Sequence, residues 1–142
     1  MALGEIVLAA SALRTTSGTT NGTTFHVGGL TQRVMLVLDV TALGVNVGDK
    51  LNVYVDVSPD GSKWMNACHF GELLGNAGAG KTEFAILDPS NPGTSTVLTT
   101  ADAAVSTVRP GVFGTHMRAR WAITDAGGAT QTFTFSVKAY IQ

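Results

Sequence analysis

The sequence predicts an all-β protein, an antiparallel β-sandwich or jelly roll of about eight strands. Three observations lead there. Apolar residues occupy every second position in several segments, the period of a strand with one face buried. Thr and Gly are abundant, at 19 and 17 copies in 142 residues. β-Branched Thr favours pleated structure, and Gly serves turns and bulges. Long blocks of Glu, Lys, Leu and Ala, which would make helices, are missing. The length fits a single domain, 1–142, with a sizeable core.

In chain order, residues 3–9 (LGEIVLA) read as a first strand. Thr15 to Gly22 is rich in Thr, Ser, Gly and Asn and reads as a loop. Thr23 to Val27 is a short strand stopped by Gly28-Gly29. Gln32 to Thr41 is a strong strand with Val34, Leu36, Leu38 and Val40 on one face. Its other face holds Met35, Val37 and Asp39; two partly apolar faces predict a central position. Gly44 to Gly48 then turns the chain. From Leu51, Val53, Val55 and Val57 alternate with Asn52, Tyr54, Asp56 and Ser58, predicting one apolar and one polar face. Pro59-Asp60-Gly61 ends that strand: Pro presets φ, Asp bonds nearby backbone and Gly accepts positive φ. Trp64 to Phe70 is the return strand of the hairpin.

Gly71 to Gly80 reads as a glycine-rich mobile loop and Thr82 to Leu87 as a short strand stopped by Asp88-Pro89. Ser90 to Gly111 fits a strand, a helical turn or an extended arm equally well. Flexible loops are thus expected near 15–22, 71–81 and 88–114. In Thr115 to Thr124, Met117, Ala119, Trp121 and Ile123 alternate with His116, Arg118, Arg120 and Ala122. Asp125 to Gly128 reads as a hairpin loop. Thr132 to Ile141 has the cleanest alternation in the chain, with Phe133, Phe135, Val137, Ala139 and Ile141 on one face.

Charged residues make up 13% of the chain and the formal net charge is −1. That gives no general drive toward nucleic acid or an anionic membrane. A charge-poor surface suits packing against neighbours, and equally an ordinary soluble domain with a Thr/Ser/Asn surface. The single cysteine, Cys68, excludes a disulfide within the chain and reads as a small apolar residue near the hairpin. The opening MALGEIVLAASALRTT lacks a basic region and carries Glu5, so it does not read as a secretory signal. No apolar run reaches membrane-spanning length.

Gly75 to Thr82 matches GxxxxGK[ST], the phosphate-cradling loop. That pattern works between a buried strand and a helix whose N-terminal amides hold phosphate. Here Glu83 to Leu87 reaches only Pro89, too short for the helix, so no nucleotide is expected. His26, His69 and His116 lie far apart in sequence, with no second ligand at metal spacing. No G-x-S-x-G elbow is present. Asp49, Asp60, Asp88 and Asp125 sit at turns, where backbone bonding would place them. The expectation is therefore no enzyme activity, no catalytic residues, no metal and no cofactor. Arg118 and Arg120 share one strand face, and with Tyr54 and Tyr140 they form a candidate partner-contact patch. The competing reading is a solvated face paired across strands to Asp or Glu.

The segment Leu51-x-Val53-x-Val55-x-x-Ser58-Pro59-Asp60-Gly61-x-x-Trp64 resembles small structural proteins of tailed bacteriophages. In those a strand runs into S-x-D-G-x-x-W, and a later strand like Met117-Arg118-Ala119-Arg120-Trp121 leads into a final Thr/Phe-rich strand. Such proteins include capsid decoration, or cement, proteins. The resemblance covers mainly residues 32–70 and 115–141. It implies a virion protein on the outer capsid surface, made in the host cytoplasm. Its partner would be the major capsid protein, and it would self-associate as a dimer or trimer. A tail or head–tail joining component is a second implication. The same hairpin also looks like one in discoidin-type and carbohydrate-binding sandwiches, which leaves a carbohydrate-binding module as the alternative class. A sialidase Asp-box is a poorer match, because Asp60 and Gly61 are adjacent.

The Gly75–Thr82 reading is tested by titration calorimetry with magnesium-ATP. We expect no binding tighter than millimolar, and no change for Lys81→Ala.

Overall fold

The computed structural model describes residues 4–28, 33–44, 46–78, 80–91, 97–112, 114–127 and 131–142. Among them are 11 strands and no helix. They are β1 (Gly4–Arg14), β2 (Gly18–Asn21), β3 (Phe25–His26), β4 (Val34–Ala42), β5 (Lys50–Ser58) and β6 (Met65–His69). Then follow β7 (Leu73–Leu74), β8 (Lys81–Leu87), β9 (Thr107–Val108), β10 (His116–Thr124) and β11 (Phe133–Ile141). The first sheet runs β1-β11-β4-β8. The second runs β2-β10-β5-β6-β9, with β3 on β10 and β7 on β5. Every described pairing is antiparallel. The fold is the expected β-sandwich. The strand count exceeds the expected eight because four of the strands have four residues or fewer.

The two sheets meet through the alternating apolar positions. Val34, Leu36, Leu38 and Val40 from β4, and Phe133, Phe135, Val137 and Ala139 from β11, are all buried. Leu51, Val53, Val55 and Val57 from β5, with Met117, Ala119 and Ile123 from β10, fill the opposite layer. Burying a side chain of this size stabilises by about 1.5–3 kcal/mol. β4 is central, as its two partly apolar faces predict. In β1 the register slips between Val7 and Ala9 and again before Ala12, so the consecutive Leu8 and Ala9 both turn inward. Arg14 closes that end of the sandwich. Its guanidinium lies 4.7 Å over the Trp121 ring of one sheet and 4.0 Å over the Phe135 ring of the other. Its Nη1 and Nη2 donate to the carbonyls of Phe135, Ala12 and Ala10, and burial lowers its pKa.

The β5–β6 hairpin forms as expected, with a tight local turn. The Ser58 hydroxyl accepts the Gly61 amide at 2.8 Å, and Asp60 Oδ1 accepts those of Ser62 and Lys63 at 2.9 and 2.8 Å. The Lys63 and Ser62 amides hold the Asp60 carboxyl well below the usual carboxylate range. Gly61 has φ of +79°, and a Cβ there would meet the His116 ring at 3.3 Å, so only glycine fits without strain. Asp88 and Asp125 also accept nearby backbone amides, as their turn positions predict.

Several expectations need correction. Gly18–Asn21 is a strand, not a loop, because the edge of β10 offers it a ladder from Gly18↔Ile123 to Asn21↔Arg120. Asp125–Gly127 does not join a hairpin: β10 and β11 lie in different sheets, so this is an arch, held by the Ala126 amide donating to Asp49 Oδ1 at 2.9 Å. Gly128 lies outside the described residues. The loop expected over 71–80 contains β7, which pairs with Lys50 and Leu51. Residues 97–112 are not a loose arm either. Val112 and Ala103 are buried and β9 pairs with Cys68 and His69 of β6. Residues 92–96 and Phe113, within the same expected loop, lie outside the described residues. Finally, most of the polar face of β5 is not solvated: Tyr54, Asp56 and Ser58 are buried, and Asn52 is half-buried.

Phe135→Ala removes a ring buried between both sheets and beneath Arg14. We expect it to lower the unfolding free energy by about 3–5 kcal/mol, measured by urea denaturation.

Candidate functional site: the two outer faces of the sandwich

Each sheet turns one face inward, so the other face must be covered by the chain or left for water and partners. The two outer faces differ in this respect. On the second sheet, Tyr54 and Asp56 of β5 and Arg118 and Arg120 of β10 point outward and stand beside one another. Asp56 is 2% exposed. A carboxylate so far from water requires charged partners. Arg120 supplies Nε to its Oδ2 at 2.8 Å and Nη2 to its Oδ1 at 3.1 Å. Arg118 Nε donates to Oδ2 at 3.3 Å, and Asn66 Nδ2 to Oδ1 at 3.1 Å.

Residues 97–110 then lie across this face as a strap. Asp102 accepts from Arg120 Nη2 at 2.5 Å and Nη1 at 3.3 Å. The Ala103 amide donates to Asn66 Oδ1 at 2.9 Å, and its carbonyl lies 2.8 Å from His69 Nδ1. The other ring nitrogen of His69 is 2.8 Å from Asn52 Oδ1. The Arg109 amide and guanidinium donate to the carbonyls of Ala67, Asn66 and Ala101. Burial alone would lower the Arg120 pKa, but the hydrogen bonds and charges of Asp56 and Asp102 outweigh it and raise it. Burial, then the Asp102 charge, raises the Tyr54 phenol. The Arg120 guanidinium lies 4.0 Å over the Tyr54 ring and that of Arg118 4.2 Å over Trp64.

Of the four residues expected in one contact patch, the structure brings three together. Tyr54, Arg118 and Arg120 share this face, and both arginines pair across strands with an acid, as the competing reading held. Tyr140 is on β11 of the other sheet, because its outward position belongs to a different layer.

Tyr140 instead borders an apolar surface that sequence reasoning missed. On the outer face of the first sheet, Met35, Phe84 and Ile86 are 42%, 66% and 53% exposed. With Val37, these residues and Tyr140 line a shallow groove of about 610 Å³. Two ion pairs lie on this face, Arg33 with Asp88 at 3.1 Å and Lys138 with Glu5 at 3.4 Å, and Asp39 in the groove lining accepts from the Thr82 hydroxyl at 3.0 Å. The available signal was the outward set of Met35 and Val37 beside Phe84 and Ile86, four apolar residues at positions that should be polar.

Other singled-out residues take structural positions. His26 and His116 are not far apart in space; they are cross-strand partners with ring centroids 4.8 Å apart at 90°. Among the described residues no group of three or more His, Cys, Asp or Glu side chains is placed to hold a metal ion. Cys68 is buried, and that burial, with the Glu83 charge, pushes its thiol up to about 12. Lys81 of the phosphate-loop pattern opens β8 and pairs with Glu83 at 2.5 Å, so a strand follows the glycines. Ala79 of that pattern lies outside the described residues.

No protein-family model matches the chain. No curated protein sequence matches it either. Among solved structures, the fold is similar to a chain of the infectious bursal disease virus structure, Gx strain, with a TM-score of 0.58 and 8% identity. The match covers 99% of this chain but 32% of that one, so this chain spans about a third of the viral chain's length. At that identity the likeness shows a shared β-sandwich fold.

Asp56→Ala leaves two arginines facing each other without their shared carboxylate, and we expect it to cost about 3–5 kcal/mol of stability. Asp102→Ala removes a carboxylate that is 39% exposed, and is expected to cost about 0–1 kcal/mol. Chemical denaturation of both variants checks the contrast.

Proposed function

We propose that this protein is a virion structural protein that binds the outer surface of a bacteriophage capsid and stabilises it. The observation that carries the reading is the apolar outer face of the first sheet. The chain covers the opposite face with its own strap, yet leaves Met35, Phe84 and Ile86 open to solvent. Contiguous exposed apolar side chains rimmed by polar groups mark a surface made to pack against protein. The occurrence of a similar sandwich in a virus structure supports the same reading, as do the low charge and the likeness to decoration proteins.

The mechanism is mechanical, and no bond is made or broken. The partner is the major capsid protein. Binding to the assembled shell and not to its free subunits stabilises the shell by mass action. Self-association into a dimer or trimer would bring several such contacts into one unit, so weak contacts add through effective concentration. The protein would be made in the host cytoplasm and carried on the particle. The sugar-module alternative gains little from the two tryptophans, since Trp64 is stacked under Arg118 and Trp121 packs against Phe135 and Arg14.

The test is co-sedimentation with purified tail-free shells, together with the shell melting temperature. Binding and a raised melting temperature are expected for the unaltered protein. The double variant Phe84→Asp, Ile86→Asp should lose about tenfold or more in affinity while unfolding like the parent. Absence of binding to shells, or binding only to tails, would overturn the decoration reading.

A further inference from the structure

We propose that the cleft beside Arg118, on the outer face of the second sheet, is a binding site for a carboxylate. This goes beyond shell binding and does not rest on it, because the cleft lies on the opposite face of the sandwich.

The cleft measures about 380 Å³ and is lined by Trp64, Asn66, Thr100, Asp102, Arg118 and Arg120, together with Asp56 and Ser62. That volume suits a ligand of single-sugar or amino-acid size. The wall's acceptors are already engaged. Both oxygens of Asp56 take bonds from Arg120, Arg118 and Asn66. Both oxygens of Asp102 take bonds from Arg120, and Asn66 Oδ1 takes the Ala103 amide. Arg120 is largely engaged in turn, because four of its five N–H groups donate to these two acids.

What remains is a surplus of donors. Arg118 uses only Nε, and among the described residues its Nη1 and Nη2 have no partner. The Thr100 hydroxyl and the Trp64 indole N–H, also in the lining, have none either. A site whose carboxylates are already engaged and whose guanidinium fork is open favours an acceptor-rich ligand. The two Nη groups of a guanidinium match a carboxylate bidentately, in one plane. That plane is fixed in advance: Nε is anchored on Asp56 at 3.3 Å and the guanidinium stacks 4.2 Å from the Trp64 ring. Binding would therefore immobilise little that is not already held.

The carboxylate could be carried by an acidic sugar or by an acidic amino-acid side chain, and the experiment separates them. The full chain is titrated with D-glucuronate, with N-acetylglutamate and with D-glucose as the carboxylate-free control. Binding is followed by tryptophan fluorescence and by the NMR signals of the Trp64 indole and the Arg118 side chain. Saturable binding of at least one acid is expected, with glucose weaker by about tenfold or more. Glucuronate alone would assign the acidic sugar; binding of N-acetylglutamate alone or of both acids equally would assign a carboxylate such as a protein side chain presents. Arg118→Lys keeps a positive charge beside Asp56 but removes the fork, and should weaken binding about tenfold. Thr100→Val, at an exposed position, serves as a second variant if Arg118→Lys unfolds, and should weaken binding several-fold. The proposal is overturned if neither acid binds, if glucose binds as well as the acids, or if these folded variants bind like the parent.

Discussion

An ionised side chain removed from water determines what may stand around it. Asp56 sits near the end of β5, between a bulged β6 and the long β10, on what the alternation marks as a polar face. Its charge is met by two arginines from β10, and Arg120 also bonds Asp102 from a segment 18 residues earlier in the chain. Asn66 then bonds both Asp56 and the amide of Ala103. The strap and the carboxylate are thus linked through Arg120 and Asn66, which hold residues 102 and 103 against this face. Removing any one central member leaves the others as uncompensated buried charge, which is why such networks behave as units.

The proposed function rests on this asymmetry between the faces. The second sheet is finished by its own chain, through ion pairs, a short added strand and the buried Ala103. The first sheet is not. Its ion pairs, Arg33 with Asp88 and Lys138 with Glu5, lie beside the apolar groove and satisfy one another. Charges neutralised in this way neither repel a neighbour nor demand a specific counter-charge from it. A surface of that kind suits adhesion to an extended, repeated protein lattice, where fit and area matter more than a single directed bond.

Much of the fold was legible because its information is local. β11 shows itself in five alternating apolar residues, and the β5–β6 turn in Pro59-Asp60-Gly61, whose side-chain and backbone bonds close within three residues. β2 was hidden because Gly18 to Asn21 is a strand only by virtue of β10, about a hundred residues away in sequence. The turn at Asp125 misled because hairpins and arches use the same residues; the choice between them depends on which sheet each flanking strand joins. The candidate contact residues were only partly legible. Alternation correctly put Arg118 and Arg120 on one outward face, but it carries no record of layer, so Tyr140 could be grouped with them. Nor could it show that Asp56 and His69 would be covered, since the covering segment has no periodicity of its own.

The position of β11 has one further consequence. It is the last of the described strands in chain order, yet it lies between β1 and β4, forming ladders with both. On the ribosome, β1 therefore has no place in its sheet until residues 133–141 have left the exit tunnel. Until then Leu36 and Leu38 on the inner face of β4 lack their β11 neighbours Ala139 and Val137. Completion of the sandwich is thus tied to the end of this segment's synthesis, and nascent copies crowded on one messenger would be the stage most open to mispairing.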